Sequence, residues 1–150
     1  MQHPDRPDLT KDSNPKSGFG DAKPGTECIP NTVMYELGLA LLEGALKYGR
    51  HNWRREGVRF STYYNACRRH LDAWWEGEDI DPESGLPHLV KALACLVVVR
   101  DCEIMEMTTD DRPPRPPADW LTRLKARVAE LRERYPEPLR PPCVHEEGSQ

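Results

Sequence analysis

"HLVKALACLVVVRDCEIMEM", running from His88 to Met107, is the stretch on which the fold turns. Leu89, Val90, Leu93, Leu96, Val97, Val98 and Val99 leave little of a helical circumference polar. A helix of that kind is packed on several sides, so this segment reads as the central helix of an all-α architecture, from around Leu86 or His88 to about Met107. The flanking segments supply its neighbours. Upstream, Ser61 can cap a helix reaching about Glu76 or Gly77, with Tyr64, Cys67, Leu71 and Trp74 as its apolar stripe. Further upstream, Asn31 and Thr32 after Pro30 start a helix that Gly49 stops. Met34, Leu37, Leu41, Ala45 and Tyr48 recur along it at helical spacing, while Glu36, Ala40, Glu43 and Lys47 share another stripe.

Downstream, "DDRPPRPPAD" is a stiff linker, and "DWLTRLKARVAELRERY" is an amphipathic helix with Trp120, Leu121, Leu124, Val128 and Leu131 on one side. The organisation expected is an extended polar arm over 1–30, a helical domain over 31–108, a linker over 109–118, a helix over 119–136 and a mobile tail over 137–150. No strand pattern or internal repeat stands out.

Composition narrows the function. The chain has 150 residues, of which 31% are charged, and a formal net charge of -4. That balance argues against nucleic-acid binding driven by overall charge. No apolar run approaches the roughly 18–20 residues of a membrane span. The opening "MQHPDRPDLTKDS" lacks a signal-peptide core, so a cytoplasmic location is expected. Cys28, Cys67, Cys95, Cys102 and Cys143 include no CxxC pair, which disfavours a zinc ribbon or disulfide framework. P-loop, dinucleotide-fold and nucleophile-elbow motifs are absent.

Two connections hold the chemistry. "GEDIDPESGLP" (Gly77–Pro87), with Glu76, gathers Glu76, Glu78, Asp79, Asp81 and Glu83. Two carboxylates about 4 Å apart repel by roughly 4 kcal/mol at an effective dielectric near 20. Converging several therefore calls for protons, solvent or a hard cation such as Mg²⁺ or Mn²⁺. Glu78 and Asp81 are three residues apart, and Glu36 and Glu43 could meet them across a bundle core. A solvated acidic loop is the plainer alternative, as is ordinary i, i+4 pairing for the acids of the first helix. His70 and His88 fit either a hydrogen-bonded structural role or the orientation of a ligand or phosphate. In "KYGRHNWRREG" (Lys47–Gly57), Tyr48 and Trp53 could stack on a base, Asn52 could bond its edge, and Arg50, Arg54 and Arg55 could meet phosphates. The plainer reading has Trp53 covering the core and the arginines solvated.

"DAKPGTECIP", "EGALKYGRHNWR" (Glu43–Arg54) and "RRHLDAWWEGEDIDPESGLPHLVKALACL" (Arg68–Leu96) together resemble the phage dATP/dGTP diphosphohydrolase family, over about residues 21–100. That family is grouped with the all-α, MazG-like nucleoside triphosphate pyrophosphohydrolases. The resemblance is nearest to the MazZ enzymes of phages that replace adenine by 2-aminoadenine. It implies a MazG-like helical bundle that hydrolyses dGTP, and also GTP, to the monophosphate and pyrophosphate, with dATP as a further candidate. The dGMP would supply 2-aminoadenine nucleotide synthesis. Carried over, the resemblance implies Glu78 and Asp81 as catalytic acids and ligands of Mg²⁺ or Mn²⁺; the reading of the residues adds Glu36 as a further catalytic acid and Glu36, Glu43 and Glu76 as further candidate ligands. It implies Lys47, Tyr48, Asn52, Trp53, Arg69, His70 and His88 as substrate-binding residues. It also implies a homo-oligomer, dimer or tetramer, with a purine nucleoside triphosphate as partner and neither membrane nor stable nucleic acid. Two departures stand out: Lys91 replaces a second histidine of many relatives, and helix one lacks a clean ExxE pair. The alternative is a small non-enzymatic phage helical protein that binds nucleic acid or a host partner.

Overall fold

The computed structural model describes residues 23–138, 140–141 and 143–144. Most of the expected arm and most of the expected tail lie outside them. Two units divide the chain, one ending at Glu36 and one beginning at Leu37, with the boundary inside a helix. In the first, Ile29 N–H closes a turn on Thr26 C=O, and Met34 N–H on Pro30 C=O opens the helix. Pro30 lacks an N–H, so it stands comfortably just before a helix whose first donors are free.

In chain order the elements are α1 (Asn31–Tyr48), α2 (Trp53–Glu56), β1 (Val58–Arg59), α3 (Phe60–Trp75), α4 (His88–Ile104), β2 (Thr108–Thr109) and α5 (Trp120–Arg134). The all-α expectation holds, since the strands are two residues each. They pair in parallel, Val58 beside Thr108 and Arg59 beside Thr109, a feature too short to show as alternation in the sequence.

The core of the second unit is built where α4 meets the connection after α1. Trp53, Val58, Val98 and Cys102 form one buried cluster, with Leu41, Tyr63 and Met107 packed against it. Gly57 sits at φ 74°, and a Cβ there would stand 2.9 Å from the Met107 carbonyl. That carbonyl accepts the Val58 N–H at 2.9 Å, so only glycine permits the close approach that starts the strand pair.

Four expectations are corrected. α4 is covered on several sides, with His88, Val90, Ala92, Val98 and Cys102 buried, but not all round: a strip through Leu89, Leu96 and Arg100 is exposed. It ends at Ile104, and Met107 turns into the strand pair. Ser61 does not cap α3, which begins at Phe60; its N–H and hydroxyl both bond Asp111, a partner 50 residues away. Tyr48, placed on the apolar stripe of α1, is 69% exposed, and the covered positions are Leu37 and Ala40. The apolar side of α5 has the expected spacing, yet none of its residues is buried. No helix among the described residues is long and apolar enough to cross a membrane.

Candidate active site

The acidic connection is shaped at its start by the end of α3. Gly77, at φ 97°, lets Glu78 N–H reach Ala73 C=O and Gly77 N–H reach Trp74 C=O, both at 3.0 Å. This pair of bonds is the Schellman closure that ends the helix just before Glu78. The connection then folds on itself. Asp81 N–H bonds Leu86 C=O, Gly85 N–H bonds Asp81 C=O, and His88 N–H bonds Asp79 C=O, while Ile80 bridges Pro87. Asp81 fixes the interior of the turn, accepting the Ser84 hydroxyl at 2.6 Å and the Glu83 N–H at 3.4 Å. Burial pushes the Asp81 carboxyl up; those two donors and the charges of His70 and Lys91 outweigh it, leaving the pKa below the ordinary value.

His88, the first residue of α4, is only 4% exposed. Its Nε2 lies 3.3 Å from Glu78 Oε2, and its Nδ1 lies 2.9 Å from His70 Nδ1 on α3. The rings are tilted by 45°. Burial lowers the His70 pKa; Asp81 pulls it up, whereas His88, Lys91 and Arg69 add to the lowering. The ring is accordingly neutral near pH 7.

Beside this group lies a second one, organised on Glu43. Lys47 donates to Glu43 Oε1 at 2.7 Å and to Glu83 Oε1 at 3.1 Å. Lys91 donates to Glu43 Oε2. The lysines hold the Glu43 carboxyl below its usual range, and the two carboxylates hold the Lys47 ammonium above its own. Lys47 is therefore cationic across any working pH. Its exposure means that this is charge placement and contributes little to stability.

The second unit thus brings together Glu43, Lys47, His70, Glu78, Asp81 and His88 from the expected set, with Lys91, Glu83 and Ser84. Others are placed elsewhere. Trp53 is a core residue, 8% exposed, whose indole N–H donates to Asp101 at 2.6 Å. It is large and apolar enough to anchor the core, which takes it away from any base. Tyr48 projects into solvent, and Arg69 and Glu76 are exposed, the latter at the cap of α3. Asn52 is half-buried, and its side chain makes no cap bond to the short α2. Glu36 is exposed and belongs to the first unit.

Three of the arginines are occupied, Arg54 binding Asp101 through two bonds of 2.7 Å, Arg55 binding Glu56 and Arg59 lying beside Asp111, while Arg50 is exposed. Sequence reasoning gave no role to Asp101, because its partners are 47 and 48 residues away. Lys91 was visible as a departure from relatives, but its pairing with Glu43 needs the packing of α1 near α4.

Among the described residues no three His, Cys, Asp or Glu side chains converge as a metal-holding group. Each expected ligand of the second unit that has a partner spends it within the chain: Glu43 on lysines, Glu78 on His88, Asp81 on Ser84. As placed, the acids do not form a shell for Mg²⁺ or Mn²⁺.

Residues 13–112 match the family model of the N-terminal domain of dATP/dGTP diphosphohydrolases. A dATP/dGTP diphosphohydrolase of Salmonella phage PMBT28 is 30% identical over 94 residues, covering 63% of this chain and 32% of that protein. The chain therefore spans about a third of the length of that relative. No solved structure matches. The matched segment takes in both connections and every residue of the two hydrogen-bonded groups, and on that footing the chain belongs to the phage dATP/dGTP diphosphohydrolase family.

Proposed function

We propose that this chain hydrolyses a purine deoxynucleoside triphosphate between its α and β phosphates, releasing the nucleoside monophosphate and pyrophosphate. dGTP is the leading substrate, GTP a second and dATP a third, and the dGMP formed would feed phage 2-aminoadenine nucleotide synthesis. One observation carries the reading: two lysines from different helices converge on Glu43, beside a paired imidazole group and a fixed Asp81. A triphosphate presents more negative charge than one carboxylate, so Lys47 and Lys91 can exchange Glu43 for phosphate oxygens. Asp81 and Glu83 sit beside the same group, Glu83 bonded by Lys47 and Asp81 by Ser84.

The reading includes Mg²⁺ or Mn²⁺ arriving with the substrate phosphates, because magnesium is commonly held by one or two carboxylates plus phosphate oxygens and water. Bound there, it would neutralise phosphate charge. A homo-oligomer, dimer or tetramer, is also part of the reading. Leu39, Leu42 and Leu46 form an exposed apolar stripe on α1, and a second copy is the occupant proposed for it. Light scattering on the purified chain should return a multiple of 17.2 kDa.

The deciding experiment incubates the chain with dGTP, GTP or dATP and with Mg²⁺, Mn²⁺ or a chelator, and separates the products. dGMP with pyrophosphate is the expected result, lost with the chelator. Orthophosphate or triphosphate would assign a different bond. No turnover, together with salt-dependent DNA binding, would return the protein to a non-enzymatic role; Arg54, Arg55 and Arg59 are paired with acids, which reduces the charge offered for that.

A further inference from the structure

Among the described residues, α5 is the helix that buries none of its side chains, although they are ordered as for packing. Leu121, Leu124, Val128, Leu131 and, just past its end, Tyr135 follow one another at intervals of three and four. That is the repeat by which one helix lies along another, and all five are exposed. The positions bordering the strip are basic on both sides: Lys125 and Arg132 on one, Arg127 and Arg134 on the other, with Glu130 and Glu133 on the far face. Two α5 helices laid together, parallel or antiparallel, would set these like charges against each other, so α5 suits a strip of a different kind. Five bases and two acids between Trp120 and Arg134 give α5 a charge of +3, which against -4 for the whole chain leaves -7 on the rest. DNA or an anionic lipid surface would attract α5 and repel that remainder. A second copy of the chain offers α5 a negative body as well as apolar surface.

The strip of matching kind stands on α1. Leu39, Leu42 and Leu46 repeat at the same intervals and are exposed. Glu43 borders them on one side, and the small Gly38 and Ala45 on the other let a second helix come close. Lys47, one step further round, is turned onto Glu43 and Glu83. The α5 of the same chain leaves all three leucines uncovered. Residues 110–119, which lead to it, hold four prolines, and a stiff segment of that kind resists folding back on the helix it came from. We propose that α5 of one copy lies along Leu39, Leu42 and Leu46 of a second copy, whose own α5 returns the contact. Two equivalent seats close the assembly as a dimer. This rests on the homo-oligomer in the reading above and names the element that builds it. The basic border of α5 is then brought toward Glu43, the acid on which Lys47 and Lys91 converge.

Light scattering and disulfide capture test this. The unaltered chain should give twice 17.2 kDa, and Leu124→Asp/Leu131→Asp and Leu42→Asp should each fall to 17.2 kDa. All three side chains are exposed, so the circular dichroism of both variants should match that of the unaltered chain. For capture, the exposed Cys28 and Cys143 are first replaced by serine in every chain. Val128→Cys chains mixed with Leu42→Cys chains should then link one to the other on mild oxidation. A disulfide between two Val128→Cys chains, or between two Leu42→Cys chains, would show a strip pairing with itself and overturn the proposal. A link formed within one chain that bears both substitutions would overturn it too. Binding of phosphatidylglycerol vesicles or duplex DNA by a monomeric chain, lost in Leu124→Asp/Leu131→Asp, would give α5 another partner and equally overturn it. A dimer that survives the α5 substitutions defeats this inference and leaves the oligomer reading standing. An unaltered chain that stays at 17.2 kDa at every concentration defeats both.

Discussion

The two connections of the second unit begin alike and are used oppositely. Both follow a helix, both turn at a glycine in the left-handed region (Gly49 at φ 96° and Gly77 at φ 97°), and both are crowded with polar side chains. In the first, residues 49–57, Trp53, Arg54 and Arg55 are turned inward or tied off, while Arg50 and His51 stay exposed. Trp53 enters the core, its N–H and the Arg54 guanidinium saturate Asp101, and Arg55 pairs with Glu56. In the second, residues 76–87 and the helix residues beside it, the partners are titratable groups or a hydroxyl: Glu78 on the His88 imidazole, Asp81 on Ser84, Glu83 on Lys47. Saturated polar groups fix a shape, whereas partners that a substrate can replace leave a surface ready for chemistry. The first connection should therefore govern stability and the second turnover.

The sharpest way to break that contrast is Asp81→Ala. It removes the acceptor of Ser84 and Glu83 and the carboxylate near His70, and kcat should fall about 100-fold or more, as for loss of a group acting on the transition state. The melting temperature should move by only a few degrees, because the backbone bonds of the turn remain. Equal losses in both would mean that the second connection is structural as well. On the other side, Trp53→Ala should cost about 3–5 kcal/mol of stability, the usual range for truncating a buried aromatic. Chemical denaturation measures this, and the rate per folded molecule should stay within a few-fold of the unaltered protein. A collapse of kcat in folded Trp53→Ala would restore the indole to a nucleotide-holding role.

Lys47→Ala sharpens the second region from within. It removes one of the two cations on Glu43, and a charge-assisted phosphate contact carries about a tenfold or greater effect on binding. KM for dGTP should rise by about that factor with kcat changed less. A fall in kcat with constant KM would place Lys47 in the chemical step and not in substrate capture.

The helices were legible because apolar spacing is a local signal: α1, α3, α4 and α5 all lie where the 3.6-residue period puts them. Their buried faces were less so. Leu96 and Leu89 look as buried as Val90 and Val98 on paper, and α5 has an apolar stripe that nothing among the described residues covers. Which of several apolar sides faces inward depends on what else the second unit supplies, and that is a property of packing. The same division separates the site residues. Glu78, Asp81, His70, His88 and Lys47 carry their chemistry in their type and spacing, so the sequence named them. Asp101, Asp111 and the Glu43–Lys91 pair are joined across 47 to 50 residues, and no window of sequence contains both ends. Trp53 shows the limit from the other direction, since a tryptophan beside Asn and Arg suggests a base while its area favours the core.

The smallest effect expected is also the one that isolates the first connection without truncating its core. Arg54 and then Trp53, through their hydrogen bonds, hold the Asp101 carboxyl down to about 2, against an ordinary value of 3.8. A carboxyl depressed in the folded state binds its proton more readily when unfolded, so it adds to stability above the unfolded value and that contribution is lost on acidification. The contribution should be complete above about pH 4 and should disappear as the pH falls toward 2. Asp101 is partly exposed, so solvent screens the pair and the slope is shallow. Asp101→Asn keeps an acceptor for the indole but cannot ionise; its stability should therefore vary less between pH 4 and pH 2, and its deficit relative to the unaltered protein should shrink as the pH falls. Urea midpoints measured across that interval give the comparison directly. Parallel curves for the two proteins would mean that Arg54 and Trp53 make no use of the charge on Asp101, and the first connection would then be held by Trp53 packing alone.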